Sequence, residues 1–300
     1  MGSHSVVTTR ALLSAHRGAA AQSGLRDNSW ESLVAAVTLP VDYVEFDVHR
    51  TRDGEFVLHH LARVRDAEGR RLPIADHTYV ELARAAGHDL VRFADALELL
   101  RANGKKAHID FKFTSPWPLN LPPWTSYEAE AAEIALRVMG DPASFILTSL
   151  VDESVRLLRD WADLRSPGTL VGLSLGLGEW KHSPLQQVRI RISEVFPARR
   201  LARCRANLVV VQHRLADVRV LRWAGRHGIP VLVWTVDKPR KLRRFLADRR
   251  VWMVTSNHPA RAQARALAAA DPVGGLGPMA ELAELADLAE PDGPSFGAIA

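Results

Sequence analysis

Short runs of branched and aromatic residues alternate along this chain with longer stretches whose apolar positions recur every three or four residues. The short runs predict strands over 10–15, 43–48, 107–111, 144–148, 170–174, 208–212, 231–235 and 252–255. The longer stretches predict amphipathic helices over 29–37, 93–102, 127–138, 154–164, 215–227 and 239–247. Strands joined by helical crossovers pair in parallel, because each helix returns the chain to the end from which the next strand starts. Eight such strands favour a closed barrel over an open sheet, so the expected class is α/β with a (β/α)8 TIM-barrel architecture.

Two stretches break the alternation. The turn residues Asp53-Gly54 are followed at once by an apolar run over 56–60, too short for a full βα unit, which predicts a small hairpin-like insertion after strand 2. The segment 114–126 holds Pro116, Pro118, Pro122 and Pro123 with Trp117 and Trp124, is too rich in proline for a helix, and follows a strand end, where barrel loops shape substrate access. The pattern changes again near Gln263. Residues 1–262 are expected to form the barrel domain, and 263–300 a helical or partly disordered C-terminal tail.

Composition narrows the class. Of 300 residues, 47% are hydrophobic and 24% charged, ordinary values for a globular chain. No run approaches the length of a transmembrane helix, and the polar start of the chain lacks the apolar core of a secretory signal, so a cytoplasmic location is expected. Cys204 is the single cysteine, which rules out an intramolecular disulfide and a cysteine-rich metal site. The net charge of +5 comes from arginine runs near 199–205 and 238–250. The second run has Leu242, Phe245 and Leu246 at helical spacing, so a solvated helix face is the better reading and no nucleic-acid partner is expected.

Candidate chemistry gathers at strand ends. Glu45 and Asp47 lie two apart on a predicted strand, so both carboxylates face one side and require a cation. His16 follows the first strand, Asp110 and Lys112 end the third, and Trp234 lies near the end of the seventh; barrel active sites assemble from such carboxyl ends. Three carboxylates with oxygen-only ligation suit one divalent cation, Mg²⁺ or Ca²⁺. Arg17 and Lys112 then make the site ready for an anion such as a phosphodiester. His16 with one of His59 or His60 supplies the acid and base.

These residues occur in an ordered series: His16-Arg17-Gly18, Asn28, Glu45-x-Asp47-Val48-x-x-Thr51-x-Asp53-Gly54, a histidine after Val57, Asp110-x-Lys112, Trp234-Thr235-Val236-Asp237 and Ser256-Asn257-His258-Pro259. The series resembles the glycerophosphodiester phosphodiesterases over most of the chain. The resemblance implies a barrel that cleaves a small-molecule or lipid-derived glycerophosphodiester into an alcohol and glycerol phosphate with one divalent cation. It implies His16 and His60 as catalytic residues, His60 standing nine residues after Thr51. His59 then faces away from the site. Glu45, Asp47 and Asp110 become metal ligands, and Arg17, Lys112, Trp234 and Asn257 substrate-binding residues.

Three positions depart from the family pattern: Asp27-Asn28-Ser29 replaces the usual Glu-Asn-Thr, Leu61 stands where relatives place an aspartate beside the second histidine, and Asp110 replaces a more common Glu. Some segments also look like those of sphingomyelinase D and related phospholipase D toxins, which implies an alternative reaction giving a cyclic phosphate. A barrel that binds a phosphodiester without turnover is the third reading.

Overall fold

The computed structural model describes residues 10–88, 90–116, 122, 125–176, 192–194 and 196–262. Eight parallel strands close on themselves: β1 (Leu12–Ala15), β2 (Tyr43–Arg50), β6 (Lys106–Phe111), β7 (Phe145–Ser149), β8 (Leu170–Leu175), β9 (Leu208–Gln212), β10 (Val231–Trp234) and β11 (Met253–Ser256). Closure comes from β1, which pairs with β2 on one side and β11 on the other. The remaining strands form the insertion: β3 (Phe56–Leu58) runs antiparallel to the end of β2, and β4 (Arg63–Arg65) pairs with β5 (Arg71–Pro73).

The period of two along each strand sorts the side chains. Val44, Phe46 and Val48 of β2, and Ala107, Ile109 and Phe111 of β6, join the large core shared with the helices. The alternate positions face the barrel axis. At its base Tyr43, Ile146, Leu208, Val210, Leu232 and Met253 form a separate apolar cluster. Space there is tight, since a Cβ on Gly172 would come within 2.7 Å of Val210. One step up the axis lie Ser14, His108 and Thr148, and another step brings Asp110, with Glu45 and Asp47 rising on β2.

Helices Trp30–Thr38, Phe93–Ala102, Tyr127–Met139, Asp152–Arg165 and Pro239–Ala247 match the sequence reading to within two residues. Ser29 caps the first by accepting from Ser32 N at 3.2 Å. The helix predicted over 215–227 is interrupted by a π turn at Ala216–Val220 before Leu221–His227. Helix Ala198–Cys204 has no counterpart among the predicted elements.

The insertion is larger than predicted. After β3 it includes β4, β5 and helix Tyr79–Ala86, closed over its own cluster of Val57, Val64, Ile74, Leu82 and Leu90. Among the described residues no helix is long and apolar enough to cross a membrane. The 263–300 appendage, Trp117 and Trp124 lie outside the described residues.

Candidate active site

The site begins where β1 ends. Arg17 (φ 50°), Gly18 (φ 73°) and Ala19 (φ 53°) take left-handed conformations, and a Cβ on Gly18 would lie 2.6 Å from Ser32 Oγ, so only glycine fits this turn. The turn sets His16 at the mouth of the barrel and aims the Arg17 backbone N–H at Glu45 Oε2, 2.8 Å away.

Glu45, Asp47 and Asp110 converge, with one carboxylate oxygen of each lying within 4.8 Å of the others. Asp47 and Asp110 are register partners across β2 and β6, which brings the short Asp110 side chain close enough to share the cluster. Burial pushes the Glu45 carboxyl well above its usual range, and the neighbouring Asp47 and Asp110 charges push the same way. Burial would raise Asp47 too, but Lys112, His60 and Arg17 hold it well below the usual carboxylate range. Lys112 reaches both Asp110 and Asp47 Oδ1, the latter at 3.0 Å, and these carboxylates raise its ammonium although burial lowers it. A buried carboxyl forced toward its neutral form beside two others is a donor set short of positive charge. It fits a divalent cation held by oxygen ligands.

The two histidines have defined tautomers. Asp237 accepts from Asn257 N and Nδ2, each at 2.8 Å, which turns Asn257 Oδ1 toward His16 Nδ1 at 2.7 Å. Nδ1 therefore carries the proton, and the Nε2 lone pair faces Glu45 Oε2 at 3.8 Å. Burial first, and Arg17 second, lower the His16 imidazole to about 4, so it is neutral at physiological pH. His60 Nδ1 donates to Asp47 Oδ2 at 3.1 Å while its Nε2 accepts from Arg17 Nη2 at 3.0 Å. Leu61, at the position where the resemblance implies an acid, is exposed; the carboxylate beside His60 is Asp47. His59 turns away and bonds through Nδ1 to Leu61 O at 2.7 Å.

Asn28 (φ 58°) clasps Asp47 at both ends, donating from Nδ2 to Oδ2 at 2.9 Å and accepting from the backbone N at 3.1 Å. Arg17 bridges Asp47 at 3.2 Å and Asp27 at 2.8 Å. Trp234 lies across the glycine at 176 and has a buried Nε1 with no hydrogen-bond partner among the described residues.

Three contributors have no role in the sequence reading. Asp27 anchors Arg17, Asp237 fixes Asn257, and Thr148 donates to Asp110 Oδ1 at 2.8 Å. Asp237 closes the Trp234 segment, so its place just beyond β10 is a usable signal. Thr148 has only its alternation on β7.

Known proteins share this fold. The sequence profile of the Glycerophosphoryl diester phosphodiesterase family matches residues 16–261, and no curated protein matches the chain. A putative glycerophosphoryl diester phosphodiesterase from Silicibacter pomeroyi superposes with a TM-score of 0.64 at 19% identity, covering 87% of this chain and 94% of its own. A glycerophosphodiester phosphodiesterase from Parabacteroides distasonis gives 0.62 at 20% identity, covering 87% and 98%. An Oleispira antarctica phosphodiesterase, solved in complex with the product sn-glycerol-3-phosphate, gives 0.59 at 18% identity, covering 85% and 96%. These likenesses carry the barrel fold. The profile runs from the first histidine of the site to the turn after the last barrel strand, and on that ground the chain belongs to the glycerophosphoryl diester phosphodiesterase family.

Proposed function

We propose that this enzyme hydrolyses a glycerophosphodiester to an alcohol and glycerol phosphate, with His16 and His60 moving the protons beside one divalent cation, Mg²⁺ or Ca²⁺. The observation that carries the reading is the arrangement of two imidazoles, each held through Nδ1, one beside Glu45 and the other on Asp47 of a three-carboxylate cluster. Glu45, Asp47 and Asp110 would hold the cation, which when bound supplies positive charge to polarise a non-bridging phosphoryl oxygen.

Arg17 and Lys112 bind the phosphate. Both already lie on Asp47, so they reach the anion from fixed positions rather than from free rotamers. A phosphate that draws the Arg17 guanidinium toward itself also releases His60 Nε2 to carry a proton. His16, neutral and with Nε2 facing the cluster, accepts the proton of the attacking oxygen. His60, its Nδ1–H held by Asp47, takes up a solvent proton on the freed Nε2 and delivers it to the departing alkoxide. Trp234 packs beside the substrate, and Asn257 acts through the imidazole of His16.

Phosphorus NMR of glycerophosphocholine turnover tests the reading. Wild-type protein is expected to release glycerol phosphate, and His16→Ala or His60→Ala to lower kcat about 10²- to 10⁴-fold. Accumulation of a cyclic phosphate would move the enzyme to the sphingomyelinase D type of reaction. Binding without product would leave a phosphodiester-binding protein, and wild-type turnover by His60→Ala would remove that residue from the mechanism.

A further inference from the structure

The outer wall of the barrel carries a groove that the phosphodiester chemistry does not use. It lies between the start of helix Ala198–Cys204 and helix Leu221–His227, encloses about 410 Å³, and its lining includes Phe196, Arg219, Arg222, Trp223, Arg226 and His227. Positions 219, 222, 223, 226 and 227 follow the i, i+3, i+4, i+7, i+8 spacing of a single helix face. The π turn at Ala216–Val220 shifts the phase of the helix, so that Ala216, Val220, Leu221 and Ala224 supply the core and the arginine face looks outward.

The groove combines cations with apolar surface. The Arg219 guanidinium lies 4.5 Å from the centroid of the Phe196 ring, and Trp223 stacks on His227 at 4.5 Å. Phe196 is 53% exposed and the nearby Ile192 57%, values that leave large apolar side chains in water beside arginines. Among the described residues no carboxylate lines this groove. Outside it, Arg200, Arg203 and Arg205 pair with Asp152, Glu153, Asp160 and Asp163 of helix Asp152–Arg165. A partner complementary to the groove carries carboxylates and short apolar side chains together.

The chain itself contains such a segment. Over 279–290, Glu281, Glu284, Asp287 and Glu290 alternate with Leu282, Leu285 and Leu288, with no lysine, arginine or histidine between them. The described chain ends at Ala262, in the turn Pro259–Ala262 that packs on helix Pro239–Ala247. That helix in turn joins the π turn through Arg244 and Asp217. The residues between Ala262 and Met279 span up to about 55 Å when extended, ample for a path across one helix.

We propose that Met279–Glu290 docks in cis on this groove, its leucines against Phe196 and Trp223 and its carboxylates on Arg219 and Arg226. Each exposed ion pair is weak, but the linker holds the segment at an effective concentration near the millimolar range, so several weak contacts suffice.

Hydrogen exchange on the full chain, read by mass spectrometry, tests the docking. At low salt the amides of 279–290 are expected to exchange about tenfold more slowly in wild-type protein than in Arg219→Glu/Arg226→Glu, and adding salt to roughly 0.5 M is expected to remove the difference. Adding Glu281→Arg/Glu284→Arg to that variant is expected to restore protection. If the arginine variant misfolds, Glu281→Arg/Glu284→Arg alone and the salt series read the same contact. Equal exchange in all proteins, or a loss that the charge swap does not restore, overturns the proposal. So does protection that depends on protein concentration, which would assign the segment to a second copy. Binding of phosphatidylserine vesicles through Arg219 and Arg226 with 279–290 unprotected would assign the groove to anionic lipid and overturn it equally.

Discussion

Asp47 shows how much of the site rests on single side chains. Its two oxygens meet Asn28, Arg17, His60 and Lys112, so one carboxylate fixes both cations proposed to bind phosphate and one imidazole at once. The other imidazole depends on Asn257, whose amide orientation Asp237 sets. Replacing Asn257 by Leu removes the acceptor that holds the His16 proton on Nδ1. In steady-state kinetics we expect kcat to fall about 10²-fold or more with KM little changed, because the imidazole loses its tautomer while the phosphate contacts stay. Parallel losses in both constants would contradict the assignment. Cys204 gives a contrasting expectation: burial pushes its thiol up to about 11, so a thiol reagent under mildly alkaline conditions should label the protein only after unfolding.

At the scale of elements, legibility in the sequence follows periodicity. Alternation along β2 and β6 is enough to assign Glu45, Asp47, Asp110 and Lys112 to the axis side, and ordinary amphipathic spacing locates five of the helices. The insertion exceeds its sequence signal because β4 and β5 are three residues long, below the length at which alternation can be recognised. Helix Tyr79–Ala86 does carry a signal, the Thr78 and Glu81 capping box, which the structure forms in full. Thr78→Ala is expected to lower stability by about 1 kcal/mol in urea unfolding. Site contacts that depend on distant turns, such as Asp27 on Arg17 and Thr148 on Asp110, have no local pattern to reveal them. The turn after β1 is the most sensitive element. Gly18→Ala combines a left-handed backbone with a methyl group 2.6 Å from Ser32 Oγ, and we expect a loss of about 2 kcal/mol or more together with loss of turnover.

For the whole molecule, the barrel buries titratable groups along its axis. Burial lowers His16 and His49 to about 4 and His108 to about 3, all from 6.5. Between about pH 4 and 6.5 the unfolded chain therefore binds more protons at these positions, and stability present at neutral pH is lost as pH falls. Glu45, held up by burial, pulls the other way, but three histidines outweigh one carboxyl. Unfolding in chelator is expected to show a urea midpoint that drops between about pH 7 and about pH 5, and a midpoint that is flat or rises would contradict this burial. The proposed cation would link stability to catalysis: held between Glu45, Asp47 and Asp110 it would favour their charged forms, so adding it should raise the midpoint in wild-type protein and not in Glu45→Gln. The most direct test of the account is glycerophosphocholine turnover, followed by phosphorus NMR, in chelator and after restoring Mg²⁺ or Ca²⁺. Glycerol phosphate should form only with the cation present and the three carboxylates intact; undiminished product in chelator, or from Glu45→Gln, would contradict it.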